Sequence, residues 1–245
     1  MKTITKTIFV IALTLFSFSV GQSQNWGKNK KVTGNGNVTT KTVNTQNYDG
    51  VKLVGSMDMH FVKGSEGNIS ITTDENLQEY IIIEVKENNL IVKTKNNFNL
   101  KTKKGIHITV PFQDISDISL VGSGDIDTKN TIKSTNLELS ITGSGDINLD
   151  VEANDLNAKI VGSGDIVLEG NTSNLKLKIK GSGDFNGSKL SSNSTEVTVS
   201  GSGDAEVNAK NNLKARVSGS GDIQYSGNPD TSDKKVSGSG TISSN

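Results

Sequence analysis

Six aspartates recur at nearly even intervals: Asp125, Asp146, Asp165, Asp184, Asp204 and Asp222. Each closes a Gly-Ser-Gly-Asp tetrad, and a seventh tetrad, beginning at Gly238, ends in Thr241 instead. Carboxylates brought together in a row are chemistry of two kinds. They can hold a cation, since calcium takes six to eight oxygen ligands and recurs in glycine- and aspartate-rich repeats. Alternatively they can serve the backbone, because short polar side chains accept hydrogen bonds from nearby N–H groups at tight turns. One Asp and one Ser per repeat is a sparse ligand set for calcium, which favours the structural role. The six aspartates are therefore retained as a candidate cation ladder, with calcium the ion and no cofactor required.

Other reactive groups are few. The acids Glu138, Asp150, Glu152 and Glu169 and the bases Lys176, Lys178 and Lys180 lie at alternating, solvent-facing positions. The chain has two histidines, His60 and His107, each flanked by apolar residues and each of outward parity. Far apart in sequence, they imply no Ser/His/Asp arrangement. Polysaccharide-cleaving chemistry needs paired carboxylates at a set separation, or a base beside metal-binding acids. No such pairing is legible, and no catalytic residue is assigned. The lone Trp26 lies outside the repeats, so no aromatic sugar platform is evident.

The tetrads are positioned by what surrounds them. First glycines fall at 122, 143, 162, 181, 201, 219 and 238, in steps of 21, 19, 19, 20, 18 and 19 residues. Apolar residues sit four and two positions before each tetrad with a following coil, as at Leu177 and Ile179 before Gly181. Another sits four positions after each first glycine, from Ile126 to Ile242. Polar residues alternate between them, which is the period of a strand with one face buried. A repeat of about 19 residues cannot contain a crossover helix, so its parallel strands must be joined by turns alone. The expected fold is all-β, a parallel β-helix (β-solenoid) of ~19-residue coils, right-handed by default, with the tetrad as its corner. Stacked at about 4.8 Å, the six carboxylates would repel by roughly 1 kcal/mol per neighbouring pair in water, and by more if partly buried. Backbone N–H groups, serine hydroxyls or a cation must offset that repulsion.

Composition agrees. Aromatic residues make up only 4% of the 245 residues, while 26 are glycine, which suits a narrow interior of stacked Ile, Leu and Val. Acidic and basic residues balance at 26 each, with a single arginine, Arg216, so nothing points to nucleic acid. The absence of cysteine excludes disulfides, thiol chemistry and a lipid-modified cysteine.

Along the chain, residues 1–21 have the form of a secretory signal: Lys2 and Lys6, an apolar stretch from Ile8 to Phe18, then small Ser19 and Gly21. That apolar run is too short to span a bilayer, so no membrane span is expected in the mature chain. Residues 22–38 read as a flexible tail and 39–243 as one domain. Upstream of the regular repeats, Val51, Leu53, Gly55, Asp58, Met59 and Phe61 reproduce the phase of a degenerate coil. Between Phe61 and Gly122 the period breaks: Ile69–Thr72 reads as a strand, and 74–77 as a capped short turn of helix or a tight loop. A hairpin is expected around Glu87-Asn88-Asn89, and a strand over 106–110 ended by Pro111. This is the less regular N-terminal end that a solenoid needs to close its core.

These features resemble a known family. Gly34 to Val38, Tyr48 to Asp58, Asp74 to Leu77 and the Gly-Ser-Gly-Asp runs are similar, in that order, to the head GIN domain of auto-transporter adhesins, over about 48–225. The resemblance implies an exported β-helical domain, preceded by a signal peptide, that acts as an adhesin-like surface or envelope module without catalysis. It carries no catalytic residues to transfer. No membrane β-barrel segment accompanies the repeats here. Expected partners are an extracellular glycan or a cell-surface protein, with association of copies through the open coil ends. The alternatives are a calcium-stabilised β-helix that binds extracellular carbohydrate, and a polysaccharide-active enzyme. Periplasm, cell surface and medium are all compatible with export.

Overall fold

The computed structural model describes residues 29–245. The expected signal peptide, and the part of the expected tail before residue 29, lie outside the described residues. The strands are, in order, β1 (Lys30–Thr33), β2 (Val38–Asn44), β3 (Gly50–Gly55), β4 (Asp58–Lys63), β5 (Asn68–Asp74), β6 (Ile81–Lys86), β7 (Asn89–Thr94), β8 (Phe98–Lys101), β9 (His107–Phe112) and β10 (Asp117–Gly122). They continue as β11 (Ile126–Thr128), β12 (Ile132–Gly143), β13 (Ile147–Gly162), β14 (Ile166–Gly181), β15 (Phe185–Gly201), β16 (Ala205–Gly219), β17 (Ile223–Ser226), β18 (Thr231–Gly238) and β19 (Ile242–Ser244).

From β10 onward every strand pairs in parallel with the strand one coil away, so the chain forms the expected parallel β-solenoid. Register turns the sequence phase into columns. Leu139, Ala158, Leu177, Val197 and Ala215 stack in one line before the corner, and Ile141, Ile160, Ile179, Val199 and Val217 in the next. Beyond the corner Ile126, Ile147, Ile166, Phe185, Ala205 and Ile223 stack likewise. All of these side chains are buried. Each large one stabilises the fold by about 1.5–3 kcal/mol relative to exposure. The bulky Phe185 is accommodated by Gly187 in its own coil, where an added Cβ would press on the Phe185 ring, and by small Ala205 in the next.

The first glycine of each tetrad has no substitute. Gly122, Gly143, Gly162, Gly181, Gly201, Gly219 and Gly238 all have φ between 129° and 137°. A Cβ on Gly162 would overlap the carbonyl oxygen of Gly143, with the carbonyl carbon only 3.0 Å away. Left-handed backbone and missing side-chain space thus coincide at one atom. The degenerate coil shares the backbone but not the crowding: Gly55 has φ 131° and lies in register with Gly122, while an added Cβ there would meet nothing closer than 3.7 Å.

The N-terminal end is built out of sequence order. On one side β3 and β4 stack on β10 and β11; on the other they receive β7 and β9. A coil formed later in the chain therefore lies outside one formed earlier. Antiparallel β6 then covers β7, turning through Glu87 and Asn88 at positive φ, as expected for the hairpin. Strand β5 lies antiparallel between β9 and β2. Three expectations change here. Lys30–Thr33, placed in the flexible tail, is a strand paired with Phe98–Lys101. Pro111 does not end its strand; β5 covers β9 only from His107 to Thr109, so the missing N–H interrupts no ladder on that side. The turn after Asp74 is a 3-10 helix (Glu75–Tyr80) that the Asp74 side chain does not cap. The buried Asp74 carboxylate instead accepts hydrogen bonds from the Gly36 N–H and the Thr102 hydroxyl, both at 2.6 Å, pinning the N-terminal segment onto the domain.

Two outcomes follow from these contacts. Gly162→Ala should cost about 3 kcal/mol or more in denaturant unfolding, while Ser163→Ala, at an exposed position, should stay within about 0.5 kcal/mol. The second concerns Asp74. Hydrogen bonding from Thr102, then from the Gly36 N–H, holds its carboxyl below the ordinary value of 3.8. A folded value below the unfolded one stabilises at higher pH and is lost as pH falls through the folded value. Asp74→Asn should therefore melt below the parent at neutral pH, and the gap between them should close as pH is taken below 3.8.

Candidate functional site

The aspartate ladder satisfies itself through the backbone. Asp165 donates its N–H to Asp146 Oδ1 at 2.9 Å, Asp184 donates to Asp165 at 2.8 Å, and Asp204 to Asp184 at 2.7 Å. Asp146 and Asp222 make the same bond to Asp125 and Asp204. The series begins at Asp58, whose Oδ1 lies 3.4 Å from the Asp125 nitrogen, and finishes at Thr241, which donates both N–H and hydroxyl to Asp222. The remaining corner donors are also spoken for. Ser163 and Gly164 N–H groups share the Gly143 carbonyl at 2.9 and 3.2 Å, and Ile147 N–H reaches the Asp165 carbonyl at 2.9 Å. Each carboxylate thus supplies the acceptor that the next coil's aspartate N–H needs. Among the described residues, no group of three or more histidine or acidic side chains converges as a metal site would require.

The histidines are brought together. Their strands β4 and β9 are adjacent, and β11 flanks β4 on its other side. His60 Nδ1 lies 2.7 Å from Asp127 Oδ2, and its Nε2 lies 3.2 Å from His107 Nδ1. His107 Nε2 is 3.0 Å from the Lys104 carbonyl oxygen, which can only accept, so that nitrogen carries a hydrogen. Asp58 Oδ2 stands 3.7 Å from His107 Nδ1. The result is a half-exposed polar chain that ties three strands on the outer face. Half of it was readable beforehand. His60 and Asp127 each lie five residues past the first glycine of their coils, so the repeat register makes them neighbours. His107 arrives by the non-sequential coil, which no spacing announces.

The isolated acids pair across coils. Glu138 accepts from Asn157 at 2.6 Å, Asp150 from Thr131 at 2.7 Å, Glu152 pairs with Lys133 at 2.6 Å, and Glu169 lies 4.0 Å from Lys189. Each is held by a polar or basic neighbour on the adjoining coil.

A second corner produces a broad concavity. The ladder skips Thr135 opposite Asn154, Asn154 opposite Ser173, and Ser173 opposite Asn193, because the chain bends there once per coil. Stacked, these bends line a groove of about 1090 Å³ with polar walls, bounded by Lys133 and Glu152 on neighbouring coils and by Lys210 farther along. Beneath it, Thr172 donates to the Asn154 carbonyl at 3.1 Å and Ser192 donates to the Asn208 carbonyl at 3.0 Å, which fixes the bends.

The ladder makes a sharp comparison possible. Asp165→Ala strips the Asp184 N–H of its acceptor and should cost about 1–2 kcal/mol in chemical unfolding. Asp165→Asn keeps an acceptor oxygen and removes a like charge, so it should cost less than half as much.

Known proteins bear on the whole arrangement. The family model described as putative auto-transporter adhesin, head GIN domain, matches residues 47–229. A putative adhesin from Bacteroides fragilis has the same fold, with 25% identity, a TM-score of 0.82, and coverage of 87% of this chain and 100% of its own. A putative lipid binding protein from Parabacteroides distasonis is 26% identical with a TM-score of 0.74, covering 88% of this chain and 100% of its own. A putative adhesin from the same organism is 25% identical with a TM-score of 0.71, at the same coverages. No curated protein sequence matches the chain. These neighbours carry binding labels, none of them catalytic, and among the described residues no helix is long and apolar enough to cross a membrane. With three-quarters of its length matched, the six aspartate tetrads and the degenerate first coil included, the chain belongs to the head GIN domain family.

Proposed function

We propose that this protein is an exported, non-enzymatic binding module of the cell envelope that holds an extended glycan along the groove at its second corner. The observation that carries this reading is the groove itself, which repeats one polar bend per coil. Strand spacing sets that repeat at about 4.8 Å, so the groove offers a periodic row of hydroxyl and amide groups to a polymer laid along the solenoid axis. Rigid stacking keeps the row preorganised, which lowers the ordering cost of binding. The adhesin labels of the family and of two neighbours agree with a binding role. The lipid-binding label of the third fits this groove less well, since an acyl chain would meet walls of Asn, Ser, Thr and Lys.

A glycan array followed by calorimetry on the purified protein tests the proposal. Binding to at least one polysaccharide class is expected, and Asn154→Ala combined with Asn193→Ala should weaken it about tenfold without changing the melting temperature. Unchanged affinity in the double variant, or no glycan bound at all, would reject the groove. Release of reducing ends from a bound polysaccharide would reject the non-enzymatic reading. Export is tested on cells: protease added outside, before and after opening the envelope, should find the protein in the membrane-enclosed or surface fraction and not in the cytosol.

A further inference from the structure

Lysines gather on one flat face although the chain as a whole balances 26 basic against 26 acidic residues. Lys176, Lys178 and Lys180 point outward at alternate positions of β14, and Lys159 of β13 lies in register with Lys178. All four are exposed. Spacing is about 6.8 Å along the strand and about 4.8 Å across it. Like charges directly opposite in a sheet are destabilising, so the Lys159–Lys178 pair weakens the solenoid where it stands.

Apart from Asp117, three coils from Lys176 in the same row, the acids of this face are already engaged elsewhere. Glu138 accepts from Asn157, Glu196 pairs with Lys214 at 3.0 Å, and Asp233 pairs with Arg216. Among the described residues, none of the four lysines forms an ion pair. Of the acids, Glu196, in register with Lys176, feels them most. Its carboxyl is held below the ordinary range first by its hydrogen bond from Lys214 and then by the charges of Lys214, Lys176 and Lys178.

We propose that this lysine face is a docking surface for a polyanionic glycan, one bearing carboxylate or sulfate groups along an extended chain. Charge complementarity selects the partner. A rigid lattice of ammonium groups offers point charges at fixed spacing, which suits a repeating anion on an extended polymer. The face has no stacking aromatic for nucleic-acid bases. Nor does it hold an exposed large apolar side chain beside the lysines to enter an acyl layer, and a basic patch alone anchors weakly to membranes. This surface is separate from the corner groove and does not depend on the reading given for it.

The test uses a heparin octasaccharide as probe, with a neutral maltooligosaccharide of equal length as control, on the purified protein by calorimetry at low salt. The parent should bind heparin, not the neutral chain, and lose affinity steeply as salt is raised. Replacing Lys159, Lys176, Lys178 and Lys180 by glutamine keeps much of each stem, so the fold should melt at the same temperature or higher. Heparin affinity should fall at least thirtyfold. Binding within threefold of the parent, or equal binding of the neutral chain, overturns the proposal. Binding to phosphatidylglycerol vesicles but not to heparin overturns the glycan assignment. The Asn154→Ala, Asn193→Ala variant should keep full heparin affinity; its loss would place the anion in the groove and refute a separate lysine surface.

Discussion

A corner that turns a β-strand sharply leaves its own N–H groups without partners in the same coil, and in this protein only the neighbouring coil can supply them. The Ser and second Gly N–H groups find one backbone oxygen between them, that of the preceding coil's first glycine. Such sharing requires the two corners to approach until no Cβ fits between them. The aspartate N–H takes the carboxylate of the preceding coil's aspartate. Gly-Ser-Gly-Asp is therefore one solution to one accounting problem, solved again in every coil.

That dependence runs in a direction, and the direction explains the ends. A carboxylate is useful on any coil that has another stacked beyond it, because it serves the next aspartate N–H. Thr241 still donates to Asp222, yet no described coil stacks on it to require an acceptor. A hydroxyl there adds a second donor to Asp222 and places no further charge in the row. At the opposite end, Asp58 begins the series although its tetrad has become Gly-Ser-Met-Asp. Met57 occupies the third position and is buried. Its side chain is tolerated because the coil outside it is made of β7 and β9, joined by a long excursion in place of a tight corner. Where no neighbouring corner presses, the second glycine is dispensable.

Legibility in the sequence follows the same division. Wherever a coil stacks on its sequence neighbour, spacing alone reveals partner, face and depth. The inward columns were readable for that reason; the coil at Gly55 was readable from its phase alone, although it stacks on the coil at Gly122, and the hairpin at Glu87 and Asn88 from its local pattern. Across β7 and β9 the stacking partner comes from a different stretch of chain, so His107 meets Asp58 and His60 without any periodic signal. Lys30–Thr33 is similar: its partner, Phe98–Lys101, is 68 residues away, and the strand carries too few apolar positions to show a period. The satisfaction of the aspartates was legible only as a need. Alternating polarity shows that a carboxylate faces outward at the corner, but not which donor reaches it.

Function is confined by what remains uncommitted. Inward positions are fixed by packing, and the corner tetrad by hydrogen bonds that allow neither a Cβ nor a missing acceptor. What varies freely is the outward position between corners and the bend opposite them. One coil carries Lys176, Lys178 and Lys180 where the next carries Glu196, Thr198 and Ser200, on the same buried scaffold of Leu, Ile and Val. Because every coil presents its outward residues in register at about 4.8 Å, a substitution adds a group to a row without moving the backbone. A solenoid of this kind separates the residues that specify structure from those that can specify a ligand. Adjacent outward rows can then differ in charge, which is how one face becomes basic while the groove at the second corner stays polar and mixed in sign.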